Sequence, residues 1–288
     1  MNKKIYLFAF TLIIFFLIIF TFNKNSETNG MTSNKIIRVR VNEPGIELKN
    51  RYPETVRTTH QPVGVTFYKI DWNAKNKGVV LVDMSKHSFE VDNTLSFIGS
   101  ETDDLKNEGM SQLNVVSGLT GPNGISHQDA HKKFLTILNS LKSAGWQSVI
   151  PFSAPRLRGK DMLTYLLDSQ RPTTLDAAYL PSLEEWMKLP DLATWEFYAE
   201  RTFLRVNFVR DNSKLDVSKP GAYVVNFTLE SDLNYFRGFV PPLQREQWQD
   251  RLPIELKQAD ARRKLLETEL LQKGVRIDEN YQDPPIPK

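Results

Sequence analysis

Two histidines stand four residues apart in the stretch SHQDAH, at His127 and His131. On a helix, residues four apart share a face, so both rings can address one metal ion. The zinc-peptidase pattern adds a glutamate directly after the first histidine, and here that position holds Gln128. The pair therefore reads as two surface histidines, with a metal site as the alternative, and neither metal nor cofactor is expected. His60 and His87 have no motif spacing, and the chain has no cysteine. A thiol nucleophile, a Cys-based zinc site and a disulfide framework are all excluded.

Other reactive patterns are incomplete in the same way. A nucleophile elbow needs Gly-x-Ser-x-Gly, but GMSQL, from Gly109 to Leu113, lacks the second glycine. GLTGPNG, from Gly118 to Gly124, lacks the Lys-Ser/Thr ending of a phosphate loop and reads as a turn before a helix. Glu184-Glu185 and Asp103-Asp104 are adjacent, so their side chains diverge and do not make a glycosidase pair. No enzyme is expected. Two charged loops are left. PRLRGK carries Arg156, Arg158 and Lys160 and either stays solvated or grips a phosphate or carboxylate. SETDDLKNEGM sets Glu101, Asp103, Asp104 and Glu108 against Lys106. It is a solvated loop or a docking patch for a basic partner, because opposite charge speeds encounter. Those four acids are the candidate partner-binding residues.

The elements that must position these groups follow from periodicity. VGVTFYKIDW and VVLVDM, joined by the turn NAKNKG, predict an antiparallel hairpin. TLSFIG and QLNVVSGL predict two more strands. The clearest helix is SHQDAHKKFLTILNSLKSAGW. Ser126 is its N-cap, Asp129 stands three residues on, and Gly145 is its stop. Phe134, Ile137 and Leu141 mark its inner face, and Trp146 opens a strand, WQSVIP. GKDMLTYLLD predicts a helix, and PSLEEWMKLP a short one with Ser182 as cap and Glu185 three residues on. TWEFYAERTFLRVNFVRD and GAYVVNFTLES predict an antiparallel pair. The last helix is expected from about Pro253 to Lys273, with Pro253 in its first turn. Helices and strands do not alternate as βαβ units, so the fold class is α+β, with antiparallel sheets and packed helices.

In front of all this lies an uncharged run, Ile5 to Phe22, holding fourteen Ile, Leu and Phe among its eighteen residues. As a helix it spans about 27 Å, close to a bilayer core of about 30 Å. The run ends in FTFNK with no small-x-small cleavage site, so it predicts a retained transmembrane anchor. Lys3 and Lys4 precede it, which favours a cytoplasmic amino terminus and a periplasmic body. The expected organisation is an anchor over 1–22, a tether and extended connector over 23–62 with a short strand in IIRVRV at 36–41, and a globular region over 63–288. Residues 63–170 and 176–288 are possible subdomains of that region. With net charge +3, 40% hydrophobic and 25% charged residues, the chain is of ordinary globular composition and is not expected to bind nucleic acid.

In organisation, SHQDAHKKFLTILNSLKSAGWQ with its flanking strands and the terminal GVRIDENYQDPP resembles membrane-anchored periplasmic immunity proteins that accompany type VI secretion effectors. The resemblance implies a protein partner, a secreted envelope-targeting toxin, and inhibition by covering its active site. It assigns no residue roles. The alternatives are a structural or assembly subunit of an envelope complex, and a hydrolase acting on lipid or peptidoglycan.

Overall fold

The computed structural model describes residues 36–73, 75–121, 123–169 and 173–287. The anchor expected over 5–22 and the tether over 23–35 lie outside the described residues. Among the described residues no helix is long and apolar enough to cross a membrane.

Ten strands form one sheet among the described residues: β1 (Ile37–Val39), β2 (Arg57–Gln61), β3 (Val65–Asp71), β4 (Gly78–Val82), β5 (Phe89–Thr102), β6 (Gln112–Gly118), β7 (Gln147–Ser148), β8 (Thr194–Ala199), β9 (Thr202–Arg210) and β10 (Tyr223–Ser231). The order is β1-β4-β5-β6-β10-β9-β8-β7, with β3 also on β5 and β2 on β3. The pairing of β1 with β4 is parallel and the others are antiparallel. The helices are α1 (Gly45–Arg51), α2 (His127–Ser143), α3 (Gly159–Ser169), α4 (Leu183–Lys188), α5 (Asp232–Arg237) and α6 (Trp248–Gln272). The α+β class is as expected.

Three expectations are corrected. First, β3 and β4 do not pair as a hairpin. β5 is fourteen residues long; its first part pairs with β4 and its second with β3. A register shift between Thr94 and Ser96, next to Asn93 at φ 54°, marks the fork. A bulge of this kind bends a strand so that it can serve two neighbours. Second, residues 42–62 are not an extended connector. Leu48 is fully buried, and α1 and β2 belong to the fold, as does the short strand β1 expected within IIRVRV. Third, the two halves are not subdomains. β6 and β10 pair from Gln112↔Glu230 to Gly118↔Val224, so one sheet and its main core run through both.

The sheet has two unlike faces, as antiparallel sheets often do. On the first, Phe97, Val115, Val206, Phe208, Val225, Phe227 and Leu229 are buried in the main core. Helix α2 packs there through Ala130, Phe134, Leu138 and Leu141. Phe134 sits 4.8 Å from the Trp195 ring and 5.3 Å from Phe208, centroid to centroid. The caps are local and work as the sequence dictates. Ser126 Oγ accepts from the Asp129 N–H at 3.0 Å, Gly145 ends α2 at φ 86°, and Ser182 with Glu185 forms a complete capping box on α4. Helix α6 departs from expectation, starting at Trp248, so Pro253 lies inside it rather than at its first turn.

Among the described residues the second face carries its packed helices at the β8–β9 end. There α5, α6 and the C-terminal segment build two smaller clusters, and Phe203 stacks on Tyr235 at 3.6 Å.

Candidate functional site

The histidine pair is core, not surface. His127 is 1% exposed; its Nδ1 shares a hydrogen bond with the Tyr223 hydroxyl and its Nε2 donates to the Asp216 carbonyl at 3.2 Å. His131 Nε2 donates to the Pro181 carbonyl at 2.9 Å, and its ring lies 5.4 Å from Trp186. Burial lowers the His131 pKa, with the Pro181 carbonyl opposing. Each ring has its own partners, so the shared face serves packing. Among the described residues no three His, Cys, Asp or Glu side chains gather to hold a metal.

The PRLRGK loop does grip carboxylates, but they belong to this chain. Arg156 donates from its backbone N–H and from Nε to Glu267 Oε1 at 2.9 and 2.8 Å, and from Nη2 to Oε2 at 2.7 Å. Arg158 Nε donates to Asp278 Oδ2 at 2.5 Å, and Lys160 lies 3.9 Å from Glu185. The loop thereby fastens α6 and the C-terminal segment to the body. Hydrogen bonding and charge from Arg156 hold the Glu267 carboxyl below its ordinary range, although burial, the largest influence, pushes the other way.

The acidic stretch is a 3-10 turn, Asp103–Glu108, at the end of β5, and it divides the four candidate acids. Glu101 Oε2 accepts from the Gly45 N–H at 2.9 Å, at the start of α1. Glu108 pairs with Arg237 of α5 at 2.6 Å, both side chains only 12% exposed. These two are structural. Asp103 is half-buried, 3.7 Å from His60 Nε2 and 3.9 Å from Lys106 Nζ. Asp104 is exposed. Asp103 has only looser ion-pair contacts, at the rim, and Asp104 stands out into solvent. The sequence could not separate the four, because the groups that engage Glu101 and Glu108 lie 56 and 129 residues away.

Beside this turn lies a surface that sequence reasoning missed, the open part of the second sheet face. Ser96, Ile98 and Ser100 of β5, Gln112, Asn114 and Val116 of β6, Asn226 and Thr228 of β10 and Asn207 of β9 are all half-exposed. Register places Ile98, Asn114, Thr228 and Arg205 in one row across the strands. Side-chain bonds stitch the face together: Thr228 Oγ1 donates to Asn114 Oδ1 at 3.0 Å, and Asn226 Nδ2 to Asn207 Oδ1 at 2.9 Å. Five strands, β3 to β9 through β5, β6 and β10, give a platform about 19 Å wide at about 4.8 Å per strand. The signal was present as alternation: in β10, Val224, Asn226, Thr228 and Glu230 interleave with buried Tyr223, Val225, Phe227 and Leu229.

Where α5 closes over the platform, charge becomes buried. Glu196 faces Arg205 in register, and Arg205 Nη2 donates to Glu230 Oε2 at 2.8 Å. Asn234 Nδ2 donates to Glu230 Oε1 at 2.6 Å. Burial pushes the Glu196 carboxyl up to about 7, with Arg205 opposing and Glu230 adding. Burial likewise raises Glu230.

No protein-family model, curated protein or solved structure matches this chain. The geometry therefore stands by itself. It is a broad, polar, hydrogen-bonded sheet face with Asp103 and Asp104 at its rim.

Proposed function

We propose that this protein is a membrane-tethered protein-binding module whose body works on the periplasmic side of the cytoplasmic membrane. More narrowly, it is an immunity protein that binds and covers an envelope-targeting secreted toxin. The single observation that carries the reading is the open polar face of β5, β6, β10 and β9 with Asp103 and Asp104 beside it. A sheet held by its own core presents such a face without reorganising, which lowers the cost of association. The apolar run Ile5 to Phe22 supplies the membrane span. Tethering raises the local concentration of an inhibitor on the side where its target arrives. Inhibition is by occlusion, with no catalytic step.

One observation favours a second reading, an assembly subunit of an envelope complex. β2 pairs only with β3 among the described residues, and Arg57 to His60 are all exposed. The outer edge of β1, by contrast, is blocked: Arg38 N–H donates to the Tyr52 hydroxyl at 3.0 Å, and Arg51 donates to the Arg38 carbonyl at 3.1 Å. An open edge accepts an added strand.

The deciding experiment co-expresses the full chain with the products of adjacent genes and isolates membrane complexes. A one-to-one complex with a toxin-like neighbour is expected, together with protection only against toxin delivered to the periplasm. A strain that lacks this gene yet survives attack by its siblings refutes the immunity reading and leaves the assembly role.

A further inference from the structure

His87 and Glu200 are 113 positions apart in sequence, and the fold brings them to 3.7 Å, His87 Nε2 to Glu200 Oε1. They line a cleft of about 510 Å³ with Lys86, Gly145, Gln147 and Tyr198. Four independent features of this cleft suit a cation.

The first is the orientation of the imidazole. His87 Nδ1 lies 2.7 Å from the Ala144 carbonyl, a contact that only a protonated Nδ1 satisfies. In the neutral ring the Nε2 lone pair is then the free one, and it faces Glu200. Metal-binding histidines are typically held this way, with the far nitrogen donating to a carbonyl or carboxylate. His87 is fixed again through its backbone, where its carbonyl accepts from Trp146 Nε1 at 2.9 Å.

The second is the separation. A nitrogen and an oxygen bound to one tetrahedral zinc ion lie about 3.4 Å apart. The pair needs to close by only a few tenths of an ångström, and the Glu200 side chain is 41% exposed and able to move.

The third is the turn that presents the carboxylate. Glu200 and Arg201 form the two-residue link between β8 and β9, with φ 43° and 63°. Such turns ordinarily take Asn-Gly, and strained positions of this kind cluster at functional sites. Arg201 Nε donates to Asp232 Oδ2 at 2.8 Å, which pins the tip.

The fourth is the field. The cleft is lined by Ser143, Ala144 and Gly145 at the carboxyl end of the seventeen-residue helix α2, where the helix dipole is negative. Lys86 is exposed and can turn its ammonium out to water.

We propose that His87 Nε2 and the Glu200 carboxylate form a binding site for a first-row divalent transition-metal ion, its remaining positions filled by water. Imidazole with carboxylate suits zinc and its neighbours. The contrasting pair, His60 with Asp103, has the same 3.7 Å spacing, but its histidine side chain is 58% exposed and its Nδ1 lies against the Thr66 hydroxyl, at 3.1 Å, rather than a backbone carbonyl.

The test uses the full chain in detergent micelles, without an oligohistidine tag and stripped with chelator. It is titrated with zinc by calorimetry and with cobalt by visible absorption. One ion per chain is expected, with cobalt bands of a nitrogen–oxygen site. Glu200→Gln changes an exposed side chain and leaves the fold intact; it is expected to weaken binding at least tenfold. His87→Asn is expected to abolish it, and His60→Asn to leave it unchanged. Three results overturn the proposal: no saturable binding by wild type, binding that survives both Glu200→Gln and His87→Asn, or loss of the ion in His60→Asn.

Discussion

Arg237 of α5 and Glu108 at the end of the acidic turn form a half-buried ion pair, Nη2 to Oε1 at 2.6 Å with a second contact at 3.3 Å. The pair ties the helix that closes the sheet platform to the turn at its rim. Arg237 also lies over the Trp248 ring, 5.7 Å from its centroid. Removing one partner strands a poorly solvated charge, which costs more than the pair contributes. Arg237→Ala should destabilise the fold by about 2–3 kcal/mol, and Glu108→Gln by about 1–2 kcal/mol. Urea unfolding of both single variants and the double variant measures their coupling, expected at about 1 kcal/mol or more. A coupling near zero would mean that each residue acts alone.

Phe134→Ala should cost about 3–5 kcal/mol, because it opens a cavity in a fully buried aromatic cluster. Thermal and denaturant unfolding monitored at Trp195 and Trp186 report it. A loss under about 1 kcal/mol would place the inner face of α2 outside the core.

Glu196 should contribute a fall in stability as pH rises between about 4.5 and about 7, with His131, lowered by burial, contributing in the opposite direction. The Glu196 carboxyl titrates near its ordinary value in the unfolded chain and at about 7 in the folded one. Over that interval the folded state holds more protons, so raising the pH favours unfolding. The effect is on the order of 3 kcal/mol for a group only 4% exposed. Glu230 shifts in the same direction. Glu196→Gln should flatten the slope and stabilise the protein at pH 8. Denaturant midpoints across pH 4 to 8 for both proteins check this, and equal slopes would be contrary to it.

Asp103→Lys with Asp104→Lys should slow association with a basic partner and weaken the salt dependence of the on-rate, with the dissociation rate and melting temperature nearly unchanged. Surface plasmon resonance at two ionic strengths reads both effects. Changing Glu108 instead should act through stability, because its charge is already spent on Arg237.

These cases divide what was legible in the sequence from what was not. The Ser126–Asp129 cap, the Ser182–Glu185 capping box, the Gly145 stop and the alternation of β10 all follow from residues within a few positions of each other. A turn of helix closes its own hydrogen bonds and a strand shows its buried face as a two-residue alternation, so those elements and the α+β class are written locally.

Partnership is not local. That β3 pairs with β5 rather than β4 depends on the length of β5 and its bulge. That β6 meets β10, merging two apparent halves, depends on the order of the whole sheet. From that order follow the division of four similar acids into two firmly engaged within the fold and two at the rim, the burial of His127 and His131, and the meeting of His87 with Glu200. Sequence spacing sets what a side chain is able to do, but the groups that neutralise it or leave it free arrive from 50 to 130 residues away. Only the packed sheet determines which of them arrive.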